Sequence, residues 1–321
     1  SAIYIQVEDA RDGAIPADAL FKIEGNRIGG FENGIVVFDP VTGADGGLSA
    51  ETQVNVTGND IAGNTQFGAR NGAGAAMRAM NNWWGDAAGP GGAGPGAGDR
   101  ISENVACCTW LDAPVPAGRP FGPVQNVNTG TYFCTINGAV NAAETVDGHT
   151  VRAAPGLYLE QVTIGKSVTV TGSGAGQSIL QAPATLPSSA SAASAIVSVG
   201  GAGVDAEIAG FTIAGPGPAG LCGSIRAGIF VHDAARATIH DNAIVDIRDE
   251  PMAACQQGIA IVVGSSSSRT SGTATIFDNV LTGYQKGGIS VSNAGSSAVI
   301  RGNQLQGAGP TSLLVQNGIQ V

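Results

Sequence analysis

Apolar and polar positions along the chain recur in one short pattern, Ile/Val-x-x-Asn-x-Ile/Leu. It stands at Ile23/Asn26/Ile28, Val56/Asn59/Ile61, Ile239/Asn242/Ile244, Ile276/Asn279/Leu281 and Ile300/Asn303/Leu305, and with Phe in the Asn place at Ile208/Phe211/Ile213. A Gly-Ile pair accompanies it at Gly34-Ile35, Gly228-Ile229, Gly258-Ile259, Gly288-Ile289 and Gly318-Ile319, the last four at 30-residue intervals. A repeat of roughly 20 to 50 residues, made of β-branched runs broken by Gly, Asn and Asp, predicts a solenoid of short parallel strands. Each turn of such a coil pairs with the turns about 4.8 Å above and below it. Equivalent side chains therefore stack: Ile, Val and Leu inward, and Asn26, Asn59, Asn242, Asn279 and Asn303 at equivalent interior-facing corners. There the amide bonds the next turn and the backbone tolerates a left-handed conformation. The Gly of each Gly-Ile pair is expected at another corner, where a tight bend demands positive φ.

The pattern is not uniform. Residues 1 to about 75 read as coils, after which Asn81-Asn-Trp-Trp-Gly-Asp, Gly89-Pro90 and the Gly-rich run Gly91 to Gly98 break it. Two tryptophans beside a low-complexity loop suit a cap over the last core layer of a solenoid. A strand-like segment, Ser102 to Leu111 with Trp110, follows, and then a Pro-rich stretch that reads as a linker. A second start comes after it. Ile136, Ala139, Val140 and Ala143 lie at helical spacing within Thr135 to Val146, predicting a short amphipathic helix that plugs the open bottom of a new solenoid. Alternating strands from His149 onward continue to Val321. The sequence thus divides into 1–112, the back part of one β-helix with its closing cap; 113–128, the linker; and 129–321, the opening cap and first coils of a second.

The stretch 133 to 180, with its Pro155-Gly-x-Tyr-x-Glu160-x-Val-x-Ile164-x-Lys166-Ser motif, resembles the first coils of right-handed parallel β-helix proteins of the pectin-lyase-like superfamily. The motif is similar to that of pectin methylesterases and of NosD-like β-helix domains, and Asn82-Trp-Trp-Gly85 with Gly89-Pro90 and the segment Asp99 to Leu111 resembles the closing region of NosD-like surface β-helices. The resemblance implies an all-β fold, a right-handed parallel β-helix as two half-helices joined by a cap-linker-cap region. It does not fix an activity, because this superfamily holds lyases, hydrolases, esterases and non-catalytic surface proteins. The paired-aspartate and Gly-His-Gly signatures of polygalacturonases and the Asp-Phe-Ile-Phe-Gly segment of pectin methylesterases are absent, and Gly118-Arg-Pro-Phe121 only weakly matches the latter's Gly-Arg-Pro-Trp.

Composition narrows the partners. Charged residues make up 12%, aromatics 5%, and the net charge is -10. With only Lys22, Lys166 and Lys286 among the lysines, no basic face forms for nucleic acid or an anionic membrane, and no apolar run approaches the ~18 residues that span a bilayer. Cys107, Cys108, Cys134, Cys222 and Cys255 show no Cys-x-x-Cys spacing, which speaks against zinc. Cys222 and Cys255 precede adjacent Gly-Ile pairs and are expected to bond, as is Cys134 with Cys107 or Cys108.

Candidate chemistry is sparse. His232, Asp233, His240, Asp241, Asp246, Arg248, Asp249 and Glu250 form the densest cluster; a catalytic reading uses His240 or Arg248 as base with Asp246 or Asp249 holding calcium. The favoured reading is a hydrated face and loop tip. Lys166 reads as a surface residue blunting the sheet, and Ser265 to Ser268 as a flexible loop. Asp9-Ala-Arg-Asp12 and Asp39 to Asp45 are acidic loops where a structural calcium ion would fit, though neither has a dedicated calcium-loop spacing. No catalytic, cofactor or metal residues are assigned. The order coils, closing cap, linker, opening cap, coils leaves strand edges open at both ends of the sequence, and such edges are sticky unless covered. The expectation is a secreted, non-catalytic structural protein of a filament, sheath or tandem-repeat adhesin at the cell surface, stacking head to tail on copies of itself, with Ile319 and Val321 against Ile3 and Ile5. The alternatives are a polysaccharide-processing β-helix enzyme acting on acidic glycans, or a carbohydrate-binding β-helix.

Overall fold

The computed structural model describes residues 2–6, 20–38, 53–72, 77–187, 194–218, 223–307, 309 and 312–321. The chain falls into two compact units, Ser1–Gly122 and Pro123–Val321, and the division lies inside the segment 113–128 read as a linker. That segment carries two short strands, Pro120–Phe121 and Val124–Asn126. Both units are parallel β-helices. Among the described residues no helix is long and apolar enough to cross a membrane.

In the second unit each turn contributes one strand to each of three sheets, and six turns follow one another. Three inward columns define the core. The first sheet stacks Val151, Val170, Ile208, Ile239, Ile276 and Ile300. The second stacks Tyr158, Leu180, Ile213, Ile244, Leu281 and Leu305. The third stacks Val162, Val197, Ile229, Ile261, Ile289 and Ile319. The two Ile/Leu places of the repeat are therefore the inward residues on either side of the corner between the first and second sheets. In the first unit the same places are Ile23 over Val56 and Ile28 over Ile61.

Between those places the asparagines form two ladders. Asn26 donates its backbone N–H and Nδ2 to Oδ1 of Asn59 at 2.8 and 3.0 Å, and Asn59 donates likewise to Asn82 at 3.0 and 2.9 Å. Asn242 donates to Asn279 at 3.1 and 3.1 Å, and Asn279 to Asn303 at 3.0 and 2.9 Å. Apart from that of Asn26, each Nδ2 also reaches a carbonyl of the preceding turn, as Asn279 does to Ile239 at 2.9 Å. Asn59, Asn242 and Asn279 are buried, whereas Asn26 is exposed and Asn303 half-buried, since each of these two stands at one end of its ladder. Phe211, in the Asn place, closes the second ladder: its N–H donates to Asn242 Oδ1 at 3.0 Å while its ring fills the core.

Two expectations about backbone are corrected. The left-handed residue is not the ladder Asn but the one before it: Gly25, Gly58, Asn81, Gly210, Asp241, Asp278 and Gly302 all have φ between 53° and 75°. The glycines of the Gly-Ile pairs are not bends either, apart from Gly258. Gly34, Gly228 and Gly288 lie in extended strands, where a Cβ would come within 2.6, 2.8 and 2.7 Å of a carbonyl of the next turn. The pair at 258 is out of phase as well. Ile261, not Ile259, stacks between Ile229 and Ile289, so the even 30-residue spacing hides strands of unequal offset.

Both caps form. Trp84 and Trp110 are buried over the last layer of the first unit, and the Trp110 indole N–H donates to Ala87 O at 3.0 Å. The Gly-rich run is closely packed rather than loose: a Cβ at Gly96 or Gly98 would lie 2.3 Å from the carbonyls of Ala88 or Trp84. The second unit opens with the hairpin Val124–Asn126 and Tyr132–Phe133 and the helix Ile136–Asn141, which buries Ile136, Ala139 and Val140. The helix is shorter than expected, and Ala143 is exposed beyond it, because the chain leaves helical geometry at Ala142. Cys108, Cys134 and Cys255 are disulfide-bonded, and Cys107 is a free thiol, which removes one of the two partners open to Cys134. Cys222 lies outside the described residues, as do the acidic loops Asp9 to Asp12 and Asp39 to Asp45.

Replacing Asn279 by Ala strands the Asn242 donors and the Ile239 carbonyl in a buried corner. Asn279→Ala is expected to lower unfolding free energy by about 1 to 3 kcal/mol in denaturant titration, and Asn303→Ala, in the last turn, by less. Burial pushes the Cys107 thiol up to about 11, so this cysteine is expected to resist alkylation at pH 8 until the protein unfolds, as mass spectrometry of native and denatured samples would show.

Candidate functional site

Stacking decides which polar side chains meet. The eight residues that read as one cluster in sequence separate in space, because successive strands of a turn face different sides. His232 and Asp233 end a strand of the third sheet, His240 and Asp241 lie at the corner after the first, and Asp246, Arg248 and Glu250 follow the second. Asp249 is buried, accepting from Ser224 Oγ at 2.7 Å and from Gln285 Nε2 at 3.2 Å. Arg248 approaches Glu250 at 3.3 Å and Asp246 at 3.8 Å. Among the described residues no three His, Cys, Asp or Glu side chains gather closely enough to hold a metal ion.

The outer face of the third sheet brings Ser198, which sequence reasoning missed, against His232: Ser198 Oγ lies 2.7 Å from Nε2, and Asp233 Oδ2 lies 3.0 Å from Nδ1. The Nδ1 contact is off the line of a hydrogen bond, and that nitrogen has no other partner among the described residues. Burial lowers the His232 pKa, against the opposing pull of Asp233, which favours the neutral ring. A Ser-His-Asp arrangement of this kind suits nucleophilic catalysis only where a substrate reaches the hydroxyl. Ser198 has 0% exposure, His232 lies flat on Gly200, and Phe230 seals the layer with Arg226 5.0 Å above it. Arg226 in turn holds the Ser265 to Ser268 loop, bonding Ser268 Oγ at 3.0 Å and also Ser265, so that loop is pinned rather than flexible. The register pairing of Ser198 with Phe230 was the signal, but it exists only once strand lengths are known.

On the first sheet His240 is clamped between Asp241 Oδ2 at 2.7 Å and Glu207 Oε1 at 3.0 Å. Its ring stacks on Phe277 at 4.7 Å, and Arg301 stands over the other side at 4.4 Å from that ring's centre. Burial alone would lower the His240 pKa, but the hydrogen bonds to Asp241 and Glu207 and their charges outweigh it, and the net shift is upward. Both ring nitrogens of His240 are thus engaged by carboxylates, which favours its protonated form and leaves neither free to act as a base.

The motif residues of the opening cap are structural. Glu160 accepts the N–H groups of Ile136 and Asn137 at 2.8 and 2.8 Å, at the helix start. Lys166 Nζ donates to the carbonyls of Ala142 and Thr145 at 2.7 and 2.7 Å, just past its end. Lys166 is therefore a clasp on the cap and not a residue blunting the sheet. Charges of these signs also suit the helix dipole.

Backbone groups also lack partners at strand edges among the described residues. Strands Ser297–Arg301, Gln304–Gln306 and Asn317–Gln320 of the second unit, and Ile3–Gln6, Leu20–Glu24 and Arg27–Ile28 of the first, each pair on one side only among the described residues. Ile300 and Leu305 are only partly buried, and Ile319 is 49% exposed. No protein-family model matches the chain, and no curated protein or solved structure is significantly similar to it.

A raised folded pKa for His240 means that its contribution to stability is present below the unfolded value of about 6.5 and is lost as pH rises through the folded value. Melting of the parent and of His240→Gln is therefore expected to differ most near pH 5.5 and to converge above the folded pKa; an imidazole NMR titration should place His240 above His232. Glu160→Gln removes one of two acceptors at the helix start and is expected to destabilise the protein by about 1 to 2 kcal/mol in the same assay.

Proposed function

We propose that the chain is a non-catalytic structural β-helix of the pectin-lyase-like kind, an extracellular unit of a filament, sheath or tandem-repeat surface adhesin that extends by stacking coil on coil. One observation carries the reading: each unit has a turn whose strands pair on one side only among the described residues, and the later of these turns leaves Ile300, Leu305 and Ile319 partly in water. Unpaired edges with apolar neighbours are templates for further strands. A contact between such end faces joins unlike surfaces, so it propagates rather than closes. Disulfide-bonded cysteines support an oxidising compartment. The engagement of His240 with Asp241 and Glu207 and of Asp249 with Ser224 and Gln285 favours this reading over a polysaccharide-processing enzyme.

Electron micrographs of purified protein are expected to show fibres or linear oligomers, with a meridional repeat near 4.8 Å in aligned material. Monodisperse particles at all concentrations would overturn the proposal. The double change Ile3→Asp with Ile319→Asp puts charge in the joining layer at several kcal/mol and is expected to abolish assembly.

A further inference from the structure

We infer that a cleft on the flank of the first unit, between Arg27, Asp60, Trp83 and Pro114, binds a neutral saccharide. The inference does not depend on the stacking proposed above, because it concerns the side of the helix and not its ends.

Three successive turns build the cleft from one column. Arg27 stands in register with Asp60, and Asp60 with Trp83. The residues that follow them, Ile28, Ile61 and Trp84, are buried in the core, so the column itself faces outward by strand alternation. At the next outward place stand Gly29, Ala62 and Gly85, all small, which keeps the surface low beside Trp83. The Pro-rich segment supplies the remaining wall. Val115 N–H donates to Asp60 Oδ1 at 2.7 Å, and the adjoining Pro114 lines the cleft. The cleft measures about 450 Å³, within the range of roughly 300 to 1,000 Å³ usual for small-molecule sites.

The free polar atoms point to the ligand. Asp60 Oδ2, the Arg27 guanidinium and the Trp83 indole N–H have no hydrogen-bond or ion-pair partner among the described residues. The carboxylate oxygen accepts, while the guanidinium and the indole donate. Beside them the indole, Pro114 and Ala62 offer an apolar surface. A pyranose has the matching chemistry. One face of its ring presents C–H groups for an indole, and hydroxyls at its edge both donate and accept, so neighbouring hydroxyls can bond a carboxylate and a guanidinium together. One cation beside one anion leaves the cleft without net charge, so a uronate would lose against Asp60 what it gains from Arg27. A small zwitterion would satisfy that pair and leave the indole and proline walls unused.

Calorimetric titration with cellotetraose, mannotetraose and galactotetraose tests the site, with tetragalacturonate and glycine betaine as charged comparisons. At least one neutral tetrasaccharide is expected to bind with a dissociation constant below about 10 mM. It should also shield Trp83 from acrylamide quenching, since Trp84 and Trp110 are already buried. Trp83→Ala is expected to weaken binding about three- to tenfold. Arg27→Gln and Asp60→Asn are each expected to weaken it about tenfold; the Asn keeps an oxygen for the Val115 N–H and turns the free acceptor into a donor. Ala62→Leu removes no polar group but fills the cleft, and is expected to abolish binding. Arg27 is exposed, so its variant keeps the test decisive if another fails to fold. No binding by any neutral tetrasaccharide up to about 10 mM, tighter binding of tetragalacturonate or betaine, or neutral binding that Arg27→Gln and Trp83→Ala leave unchanged would overturn the inference. Assembly of the protein without saccharide binding would remove this inference and leave the structural reading standing.

Discussion

Every turn of these helices must bring the same kind of atom to the same height as the turn below, and the corner asparagines are where that constraint is strictest. An apolar column tolerates exchange of Ile for Val or Leu with modest loss, because burial is not directional. A ladder amide does not. Buried Asn59 satisfies Asn26 below it, is satisfied by Asn82 above it, and holds the carbonyl of Ile23 at 2.8 Å. A shift of the pairing by one residue would leave donors and acceptors buried and unmatched, and would turn each inward column outward. The left-handed residue before each Asn sets the direction of the bend that makes this possible.

The same constraint explains the caps. A stack of turns has two ends at which columns stop, and the core there must be covered by something other than another turn. At the start of the second unit a helix of six residues does this, too short to hold its own conformation in water. It persists because tertiary groups satisfy both of its ends: Thr135 Oγ1 accepts from Gly138 N at 2.9 Å, Glu160 takes the first two N–H groups, and Lys166 clasps the chain after the last turn. Glu160 is held there at some electrostatic cost. Burial raises its pKa against the lowering effect of the two N–H donors.

How much of this the sequence revealed follows from period. Columns and ladder were legible because Ile-x-x-Asn-x-Ile repeats within one corner, a span short enough that insertions never interrupt it. Asn82 obeys the same spacing but escaped notice, since its flanking residues are Ala79 and Trp84, both fully buried, instead of Ile and Leu. Gly258-Ile259 misled for the opposite reason: its spacing matched while its phase did not. Contacts that depend on stacking, such as Ser198 with His232 or Lys166 with the helix end, join residues 34 and 24 apart. No local pattern encodes them, because the intervening loops set which residues coincide. The chemistry-bearing cluster dissolved on the same account, since neighbours in sequence turn onto different faces.

That dispersal bears on where function resides. On the faces, His240, Asp249 and Arg226 are tied into contacts within the unit, and His232 lies beneath Phe230 and the serine loop. By contrast, Ile300, Leu305 and Ile319 of the turn at 297–320 are only partly covered by the described residues. Trp84 and Trp110 cover one stop and the helix Ile136–Asn141 another. The turns at Leu20–Ile28 and Ser297–Gln320 receive no such cover from the described residues, and they differ in ladder polarity, one lacking donors and the other lacking an acceptor. The repeat itself is therefore both the source of the fold's stability and the feature that a neighbouring turn would recognise.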